Sequence, residues 1–387
     1  MIGWGDVYKV VSAMSPLYFA LGLGYASVRW WKFFTRDQCD AVNRLVIYFA
    51  LPFFAFDFNA HAGTFAASYR VLAADAVAKL VVVLAVAGWV ASCRWRRWSR
   101  APKAPPARPA RPGGGRGPSY SWCITGYSLG TLNNGLLVGV PLLDAMYGKW
   151  ARDIVVQLSV VQAVVWLPLL LVAFEARQAW LEVTSAPAPD GAREEGDQAA
   201  PGSDDVDRPA AAGEDRKMAA TGWAFYSPLL RTVGLKVVGN PNVYASLLGV
   251  LWSSVANRWH LEMPGIIDGS ISIMSRTGLG IGMFNMGLFI GLQDKLVVCG
   301  PGLTSLGMAM RFVAAPAATM IGALLLGLRG DLLRVAILQA ALPQSIGTFI
   351  FAREYDLHAN ILSTAVIVGT LASLPVLATY YVVLGLM

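Results

Sequence analysis

Apolar residues dominate the chain in ten long runs, each about 20 residues long and separated from the next by polar stretches. A helical run of this length matches the hydrocarbon thickness of a lipid bilayer. The predicted membrane spans cover residues 7–28, 40–59, 69–93, 121–146, 154–174, 241–257, 265–292, 304–328, 332–352 and 360–386. The pattern therefore predicts an all-α polytopic membrane protein with ten transmembrane helices.

Two of these runs are interrupted by polar residues, glycine and proline. Residues 128–141 read Ser-Leu-Gly-Thr-Leu-Asn-Asn-Gly-Leu-Leu-Val-Gly-Val-Pro, and residues 341–348 read Ala-Leu-Pro-Gln-Ser-Ile-Gly-Thr. Non-helical backbone at membrane depth survives only where it is buried in protein or lines a cavity. Broken helices in matching positions of two halves are typical of a transporter binding site at the bilayer midplane. We therefore expect helices four and nine to be broken and to cross.

A long polar connection divides the ten runs into five and five. The sequence predicts a first five-helix repeat in residues 1–174, a loop in residues 175–239, and a second repeat in residues 240–387. Because each half has an odd number of spans, the repeats should be inverted relative to each other. The loop is acidic in its first part, which is typical of a disordered segment. Its end, residues 223–238, predicts an interfacial helix.

Composition and charge agree with this picture. The chain is 56% hydrophobic and 14% charged, which excludes an ordinary soluble domain. Its net charge of +7 does not indicate nucleic acid, because eight positive charges crowd into residues 94–116 beside a membrane span. If the N-terminus is non-cytosolic, the short cytosolic loops hold thirteen Lys and Arg, and the opposite loops with the adjoining span ends hold six. Positive loops face the cytosol, so both termini are predicted to be non-cytosolic.

Asp75 and Lys79 lie inside the third run, four residues apart, and so share one face of a helix. A charge at the centre of a membrane helix costs about 2.5 to 3.5 kcal/mol, and such residues usually mark a site. The alternative is a structural ion pair that makes the helix tolerable. Arg311, in the eighth run, is interpreted differently: its long side chain should reach the membrane interface.

The breaks supply further polar candidates. Asn133 and Asn134 could hold a carboxylate through their amides, or cap the half-helices. Gln162 either belongs to the site or makes a hydrogen bond between two helices. Pro343 removes a backbone donor from the ninth run, and Gln344 follows it in the unwound stretch.

No enzyme motif, cofactor or metal site is predicted. The histidines His61, His260 and His358 fall between the runs, and none is interpreted as standing at helical spacing from another ligand type. Phosphate-binding glycine loops and nucleophile-elbow motifs are also missing from the sequence.

Several stretches together carry a family resemblance. They are Asp37-Gln-Cys-Asp-Ala-Val-Asn-Arg44, Ala73-Ala-Asp75 with Lys79, Val138-Gly-Val-Pro-Leu-Leu143 with Ala145-Met-Tyr-Gly148, Asn240-Pro-Asn242, Met283-Phe-Asn-Met-Gly-Leu-Phe289, Ala341-Leu-Pro-Gln344 and Ile361-Leu-Ser-Thr364. Over nearly all of the membrane portion, the chain resembles the PIN-FORMED auxin carriers of plants.

The resemblance implies a homodimer in the lipid bilayer, each subunit with a scaffold part and a transport part. It implies elevator-type transport of indole-3-acetate and related small aromatic carboxylates, without ion coupling. The short central loop is similar to that of the endoplasmic-reticulum branch. That branch would move auxin from cytosol to lumen and serve auxin homeostasis; the plasma membrane is the alternative.

The resemblance also implies roles for residues. The carboxylate would meet Asn134 and the crossover backbone, with Asn133, Pro343 and Gln344 beside it. The indole ring would lie near Leu51, Leu136 and Ile346, within reach of Asn242. Asp75, Lys79 and Gln162 would form a supporting polar site.

Four departures from the family pattern bear on affinity and substrate preference. The first break reads Leu132-Asn133-Asn134 where relatives have Leu-Pro-Asn, and Gly347-Thr348 replaces Val-Pro. Ala55 stands where a serine is common, and Arg276 where long-loop members tend to be acidic.

Two other functions remain open on the sequence. One is a cation-coupled organic-anion symporter on the same fold, with Asp75 binding the ion. The other is a receptor that binds auxin without moving it.

Overall fold

Helices make up most of the computed structural model, which describes residues 4–61, 65–98, 120–185, 231, 234–235 and 239–386. In chain order they are α1 (Trp4–Arg29), α2 (Arg36–Ala60), α3 (Phe65–Trp98), α4 (Tyr120–Thr131), α5 (Gly135–Tyr147), α6 (Lys149–Val161 continued by Gln162–Trp166 and Leu167–Ser185), α7 (Pro241–Trp259), α8 (Gly265–Gly291), α9 (Pro301–Leu325), α10 (Asp331–Ala340), α11 (Ile346–Glu354) and α12 (Ala359–Leu386). All ten predicted runs coincide with these helices.

Among the described residues, six helices are long and apolar enough to cross a membrane, namely α1, α2, α3, α6, α9 and α12. The short helices α4, α5, α10 and α11 are the halves of the two interrupted runs. Ten crossings in total stays a prediction. Helix α6 continues to Ser185, beyond the predicted end of its run at residue 174. The predicted interfacial helix of residues 223–238 lies almost wholly outside the described residues.

Equivalent helices of the two halves of the chain make equivalent packing contacts. Helix α1 packs along α8, and its counterpart α7 packs along α2. Helix α3 packs on its own counterpart α9, while α4 and α10 pack on α3 and α9 respectively. The pairs α5 with α6 and α11 with α12 correspond in the same way. This reciprocity is what two repeats related by a two-fold axis would produce.

Two groups of helices result. The scaffold group is α1, α2, α7 and α8, and the crossover group is α3 to α6 with α9 to α12. Inside the scaffold group, α1 and α8 approach very closely at Gly24 and Gly287. A Cβ on Gly24 would lie 2.1 Å from the Phe284 carbonyl oxygen, and one on Gly287 would lie 2.0 Å from that of Leu21. Only glycine allows this contact.

Large apolar side chains are exposed on the outside of the helices, as expected of a surface that faces lipid. Leu84 on α3, Ile273 on α8 and Val313 on α9 each expose more than three-fifths of their surface. The breaks between α4 and α5 and between α10 and α11, in contrast, lie among buried residues.

Candidate functional site

The two helix breaks meet each other inside the crossover group. Asn133 and Gln344 form an antiparallel β-bridge. The Asn134 backbone N–H donates to the Pro343 carbonyl (2.8 Å), and the Ser345 backbone N–H donates to the Leu132 carbonyl (3.4 Å). Each break thus satisfies backbone groups that the other leaves unpaired, as burial demands. The crossing of helices four and nine predicted from the sequence is confirmed.

This crossing brings four helix ends together. Helices α4 and α10 end at it with their carbonyls, and α5 and α11 begin at it with their N–H groups. Asn134 and Ser345 precede α5 and α11, and neither side chain caps its helix. The first turns of α5 and α11 therefore present partial positive charge, which favours an anion.

The neighbouring asparagines Asn133 and Asn134 differ in their side-chain contacts. The Asn133 amide donates from Nδ2 to the Gln339 carbonyl at 2.8 Å, which caps the end of α10. The Asn134 side chain is 7% exposed, and its Nδ2 has no acceptor within the described part of the chain. A buried donor without a partner costs free energy, so Asn134 is the one that can take a ligand.

Gln162 and Gln344 hold the crossing in shape. Gln162 pairs with both backbone groups of Asn133: its Nε2 donates to the carbonyl (2.8 Å), and its Oε1 accepts from the amide (3.1 Å). Gln344 is fully buried, and its Nε2 donates to the Ser128 carbonyl (3.0 Å) and to Thr348 Oγ1 (2.8 Å). Both residues position the backbone, and their contact with a substrate stays a prediction.

The interpretation of Arg311 as an interfacial residue is wrong. Its side chain is 1% exposed and lies in the π-helical turn Met310–Ala314 of α9. Four carbonyl oxygens accept hydrogen bonds from its guanidinium: Leu342 (2.6 Å) and Ala340 (2.5 Å) around the end of α10, and Leu129 (3.2 Å) and Leu132 (3.4 Å) around the end of α4. Because a charge inside an apolar membrane run is costly, the position of Arg311 in the sequence already favoured a hydrogen-bonded partner inside the protein.

Asp75 and Lys79, which the sequence places on one face of a helix, form an ion pair on α3, and their role as a supporting site stays a prediction. Lys79 Nζ lies 2.7 Å from Asp75 Oδ2, and both side chains are less than one-tenth exposed. The ammonium also lies 5.1 Å from the centroid of the Trp166 ring, within cation–π range. A cavity of about 10 Å³, enough for about one water molecule, is lined by this pair, Asn133 and Arg311. The pair is therefore next to the crossing.

A larger, partly polar cavity of about 360 Å³ separates the two helix groups, and we call it the vestibule. Scaffold helices α2 and α8 line one side, where Asn285 Nδ2 donates to Asn43 Oδ1 (2.9 Å). Helices α11 and α12 line the other side, beginning with Ile346, the first residue of α11. The predicted indole neighbour Ile346 thus joins the crossing to an open space.

Three further predicted contacts lie on different helices. Leu51 is on α2, Leu136 on α5 and Asn242 in the first turn of α7, and each is partly buried. The Asn242 backbone amide donates to the Asn240 side chain at 3.0 Å, which caps α7. Substrate contact by these three residues stays a prediction.

A second cavity, of about 380 Å³, lies between α3, α4 and α9 and is lined almost entirely by apolar side chains. Its lining hydroxyl, Thr125 Oγ1, is already bonded to the Ser121 carbonyl (3.1 Å) and to His358 Nδ1 (2.7 Å). This cavity is poorly suited to a carboxylate, because a buried anion needs donors.

The expectation that no histidine stands at helical spacing from another ligand type is wrong. His61 follows Asp57 by four residues, with Nδ1 3.1 Å from Asp57 Oδ1 and Nε2 3.2 Å from Asp268 Oδ1. The three ligand atoms lie within 4.8 Å of one another. This partly exposed cluster joins the end of α2 to the start of α8, outside the crossing.

Comparison with known proteins adds a separate finding. The sequence profile described as Membrane transport protein matches residues 9–99 and 116–381. The chain is 63% identical over 385 residues to "Probable auxin efflux carrier component 5b" of Oryza sativa subsp. japonica, covering 100% of this chain and 99% of that protein. It is 50% identical to "Auxin efflux carrier component 5" of Arabidopsis thaliana, with 99% of each chain covered. It is 35% identical to "Auxin efflux carrier component 8" of Arabidopsis thaliana over the whole of both chains.

Proposed function

Since the chain belongs to the family of membrane transport proteins, and within it to the short-loop branch of the PIN-FORMED auxin efflux carriers, we propose that it carries the indole-3-acetate anion across a membrane. This family is one of transporters and not of enzymes. Its named relatives are auxin efflux carriers over the full length of this chain.

The observation that carries the proposal is the open donor of Asn134. Its Nδ2 is buried without an acceptor among the described residues, beside the uncapped first turns of α5 and α11. A carboxylate would accept from these neutral donors and would gain from the partial positive charge of both helix ends. An amide holds an anion reversibly, since no fixed positive charge binds it too tightly to leave.

The vestibule supports the rest of the substrate. Its volume of about 360 Å³ lies within the usual range for a small-molecule site. Ile346, Phe289 and Phe349 line it, and the two phenylalanine rings lie 4.8 Å apart between centroids. With the carboxylate at the crossing, the indole ring would occupy this apolar wall.

Transport would be of the elevator type. The crossing lies within one helix group, and the vestibule lies between that group and the scaffold group. A movement of the crossover group along the scaffold group would close the vestibule on one side and open it on the other. Substrate bound at the crossing would travel with it.

The anion would move without a coupled ion. One elementary charge across 100 mV is worth about 2.3 kcal/mol, which corresponds to a gradient of about 50-fold. This drive is sufficient for a carrier that moves auxin from cytosol to endoplasmic-reticulum lumen. The short loop and the thirteen-to-six distribution of Lys and Arg support this placement with both termini non-cytosolic. The homodimer is proposed from the family membership alone.

Flux into proteoliposomes tests the proposal. The purified protein is reconstituted, sodium and pH are held equal on both sides, and a positive-inside potassium diffusion potential of about 100 mV is imposed. Radiolabelled indole-3-acetate should accumulate inside toward about 50-fold over the external concentration, and protein-free liposomes should show no such accumulation. Flux that requires a sodium or proton gradient would favour the symporter. Saturable binding with no flux would favour the receptor.

A further inference from the structure

The carbonyl groups that Arg311 contacts are of a kind that binds a cation in other broken-helix carriers. In such carriers, the C-terminal ends of half-helices and the unwound carbonyls beside them coordinate the coupling cation. Here the corresponding carbonyls, Leu129 and Leu132 around the end of α4 and Ala340 and Leu342 around the end of α10, all accept from one guanidinium. A side chain of the protein therefore stands where a small cation would find its ligands.

The local charges balance around this side chain. Each half-helix C-terminus carries about −0.5 elementary charge, so the ends of α4 and α10 together offset the single positive charge of Arg311. The adjacent Asp75–Lys79 pair is neutral as a unit and lines the same water-sized cavity. Removal of the guanidinium would leave about one unit of uncompensated negative potential, with carbonyl oxygens and a carboxylate as ligands.

The backbone of α9 is irregular at the point where it carries the Arg311 guanidinium. Arg311 lies in a π-helical turn, an irregularity that is common at functional sites. Gln162, which lies in the first repeat and hydrogen-bonds to the Asn133 backbone, likewise begins a π-helical turn, in α6. Both turns aim a polar side chain from an apolar helix at the crossing.

We propose that Arg311 is a tethered cation that replaces a coupling ion at the crossing, so that a variant lacking it binds a small monovalent cation in its place. The inference rests on the proposed uncoupled function and gives a physical reason for it. A carrier whose cation is covalently attached keeps its crossing in the cation-loaded arrangement in every state. No ion then has to arrive or leave with the substrate.

A purely structural role makes a different prediction. If Arg311 served only to bridge helix ends, its loss would destabilise the protein equally in every salt. If it acts as a tethered cation, free cation should restore what the substitution removes. The dependence of stability on cation concentration therefore separates the two explanations, and it can be measured without any transported substrate.

The experiment compares the melting temperature of full-length purified protein in sodium chloride and in N-methyl-D-glucamine chloride at equal ionic strength. Wild type should melt at the same temperature in both. Arg311→Ala should melt lower in N-methyl-D-glucamine and recover by about 5 °C at a sodium concentration 100-fold above its dissociation constant. Potassium and lithium series establish the size preference. Arg276→Ala, which removes an exposed arginine of α8, is the matched control and should show no sodium response.

Arg311→Lys is the second variant of the experiment, because it keeps a tethered positive charge but loses the planar guanidinium. It should be folded and independent of sodium. Arg311→Ala that folds without any response to sodium, potassium or lithium would overturn the inference. If Arg311→Ala fails to fold in every salt, the lysine variant decides: a folded, salt-independent protein supports the tethered cation, and an equally unfolded one overturns it.

These results are separable from those of the proposed function. Sodium-dependent stability of Arg311→Ala would establish the tethered cation even if wild-type liposomes showed no auxin flux. Auxin flux through wild type without an ion gradient would stand even if Arg311→Ala ignored every cation.

Discussion

Most polar residues at the crossing hold the backbone in place, and one has a side-chain donor that can face a ligand. Asn133, Gln162, Gln344 and Arg311 donate hydrogen bonds to carbonyls of other helices or of the two breaks. Asn134 keeps a buried donor open within the described structure. At this scale, substitutions should separate affinity from stability.

Asn134→Ala should weaken indole-3-acetate binding about 10- to 100-fold, because one hydrogen bond to a charged group contributes about 1.5–3 kcal/mol. Its thermal stability should fall little, since the lost amide has no partner among the described residues. Equilibrium binding on purified protein and a melting curve measure both. Asn133→Ala is the matched control and should lose stability, because Gln339 loses its cap. Unchanged affinity in Asn134→Ala would refute the assigned pocket.

Asp75→Asn should slow transport with only a modest change in binding. It should also destabilise the fold by about 3–5 kcal/mol, because Lys79 is left as an unpaired buried charge. The double variant Asp75→Leu with Lys79→Met removes both charges and should recover most of the stability. Slow flux in that stable double variant would assign the pair a part in transport, and wild-type flux would leave it a structural ion pair.

Helices, as elements, are positioned by close contacts and by the loops between them. The α1–α8 contact depends on glycine at positions where any Cβ would meet backbone oxygen. At the start of α12, the loop residue His358 contacts α4 through Thr125 and through the Trp122 ring, whose centroid lies 4.5 Å away. Each contact gives a prediction about stability.

Gly24→Ala should destabilise the protein by about 1–3 kcal/mol, because the added methyl would lie 2.1 Å from the Phe284 carbonyl oxygen. Gly22→Ala, two residues earlier on the same helix, meets nothing within 4 Å and should be neutral or stabilising by up to about 1 kcal/mol. Melting curves of both variants are sufficient. Equal effects would mean that the close α1–α8 approach is not needed.

His358 should make stability fall in mild acid. Burial, and then the nearby Arg177, lower the pKa of His358 from its ordinary value of 6.5. Above 6.5 the imidazole is neutral in folded and unfolded chains; below 6.5 the unfolded chain takes up the proton first, so stability is lost as pH falls. The drop in melting temperature between pH 7.5 and 5.5 should be smaller in His358→Asn, whose asparagine tolerates the positive φ at this position. An equal drop in both proteins would exclude His358 as the cause.

The whole molecule consists of two helix groups with the vestibule between them. Phe289 of α8 and Phe349 of α11 touch across this boundary, so relative movement must separate them. Phe174 and Tyr355, with ring centroids 5.0 Å apart, touch within the crossover group and should move together.

A short bifunctional thiol reagent tests that movement. In a background without the four natural cysteines, cross-linking Phe289→Cys to Phe349→Cys should abolish the auxin flux that the same variant shows before the cross-link is formed. Cross-linking Phe174→Cys to Tyr355→Cys should leave flux near that of the unlinked variant. Flux that survives the first cross-link would contradict movement of one group along the other.

The sequence by itself determined the helices and their breaks. Apolar run length predicts each helix, and the Asn-Asn-Gly and Leu-Pro-Gln stretches predict where two of them open, because these signals are local. The spacing of Asp75 and Lys79 likewise predicts that the two side chains share one helix face.

Only the tertiary structure decided which partner each polar group meets. Arg311 finds acceptors about 30 residues later and about 180 residues earlier in the chain, and no local pattern specifies such carbonyls. The same holds for Asp268 beside His61, and for the difference between two adjacent asparagines. Periodicity reports which residues are apolar, whereas long-range hydrogen bonds depend on how the two repeats pack, and that packing placed the open donor and the tethered charge at one crossing.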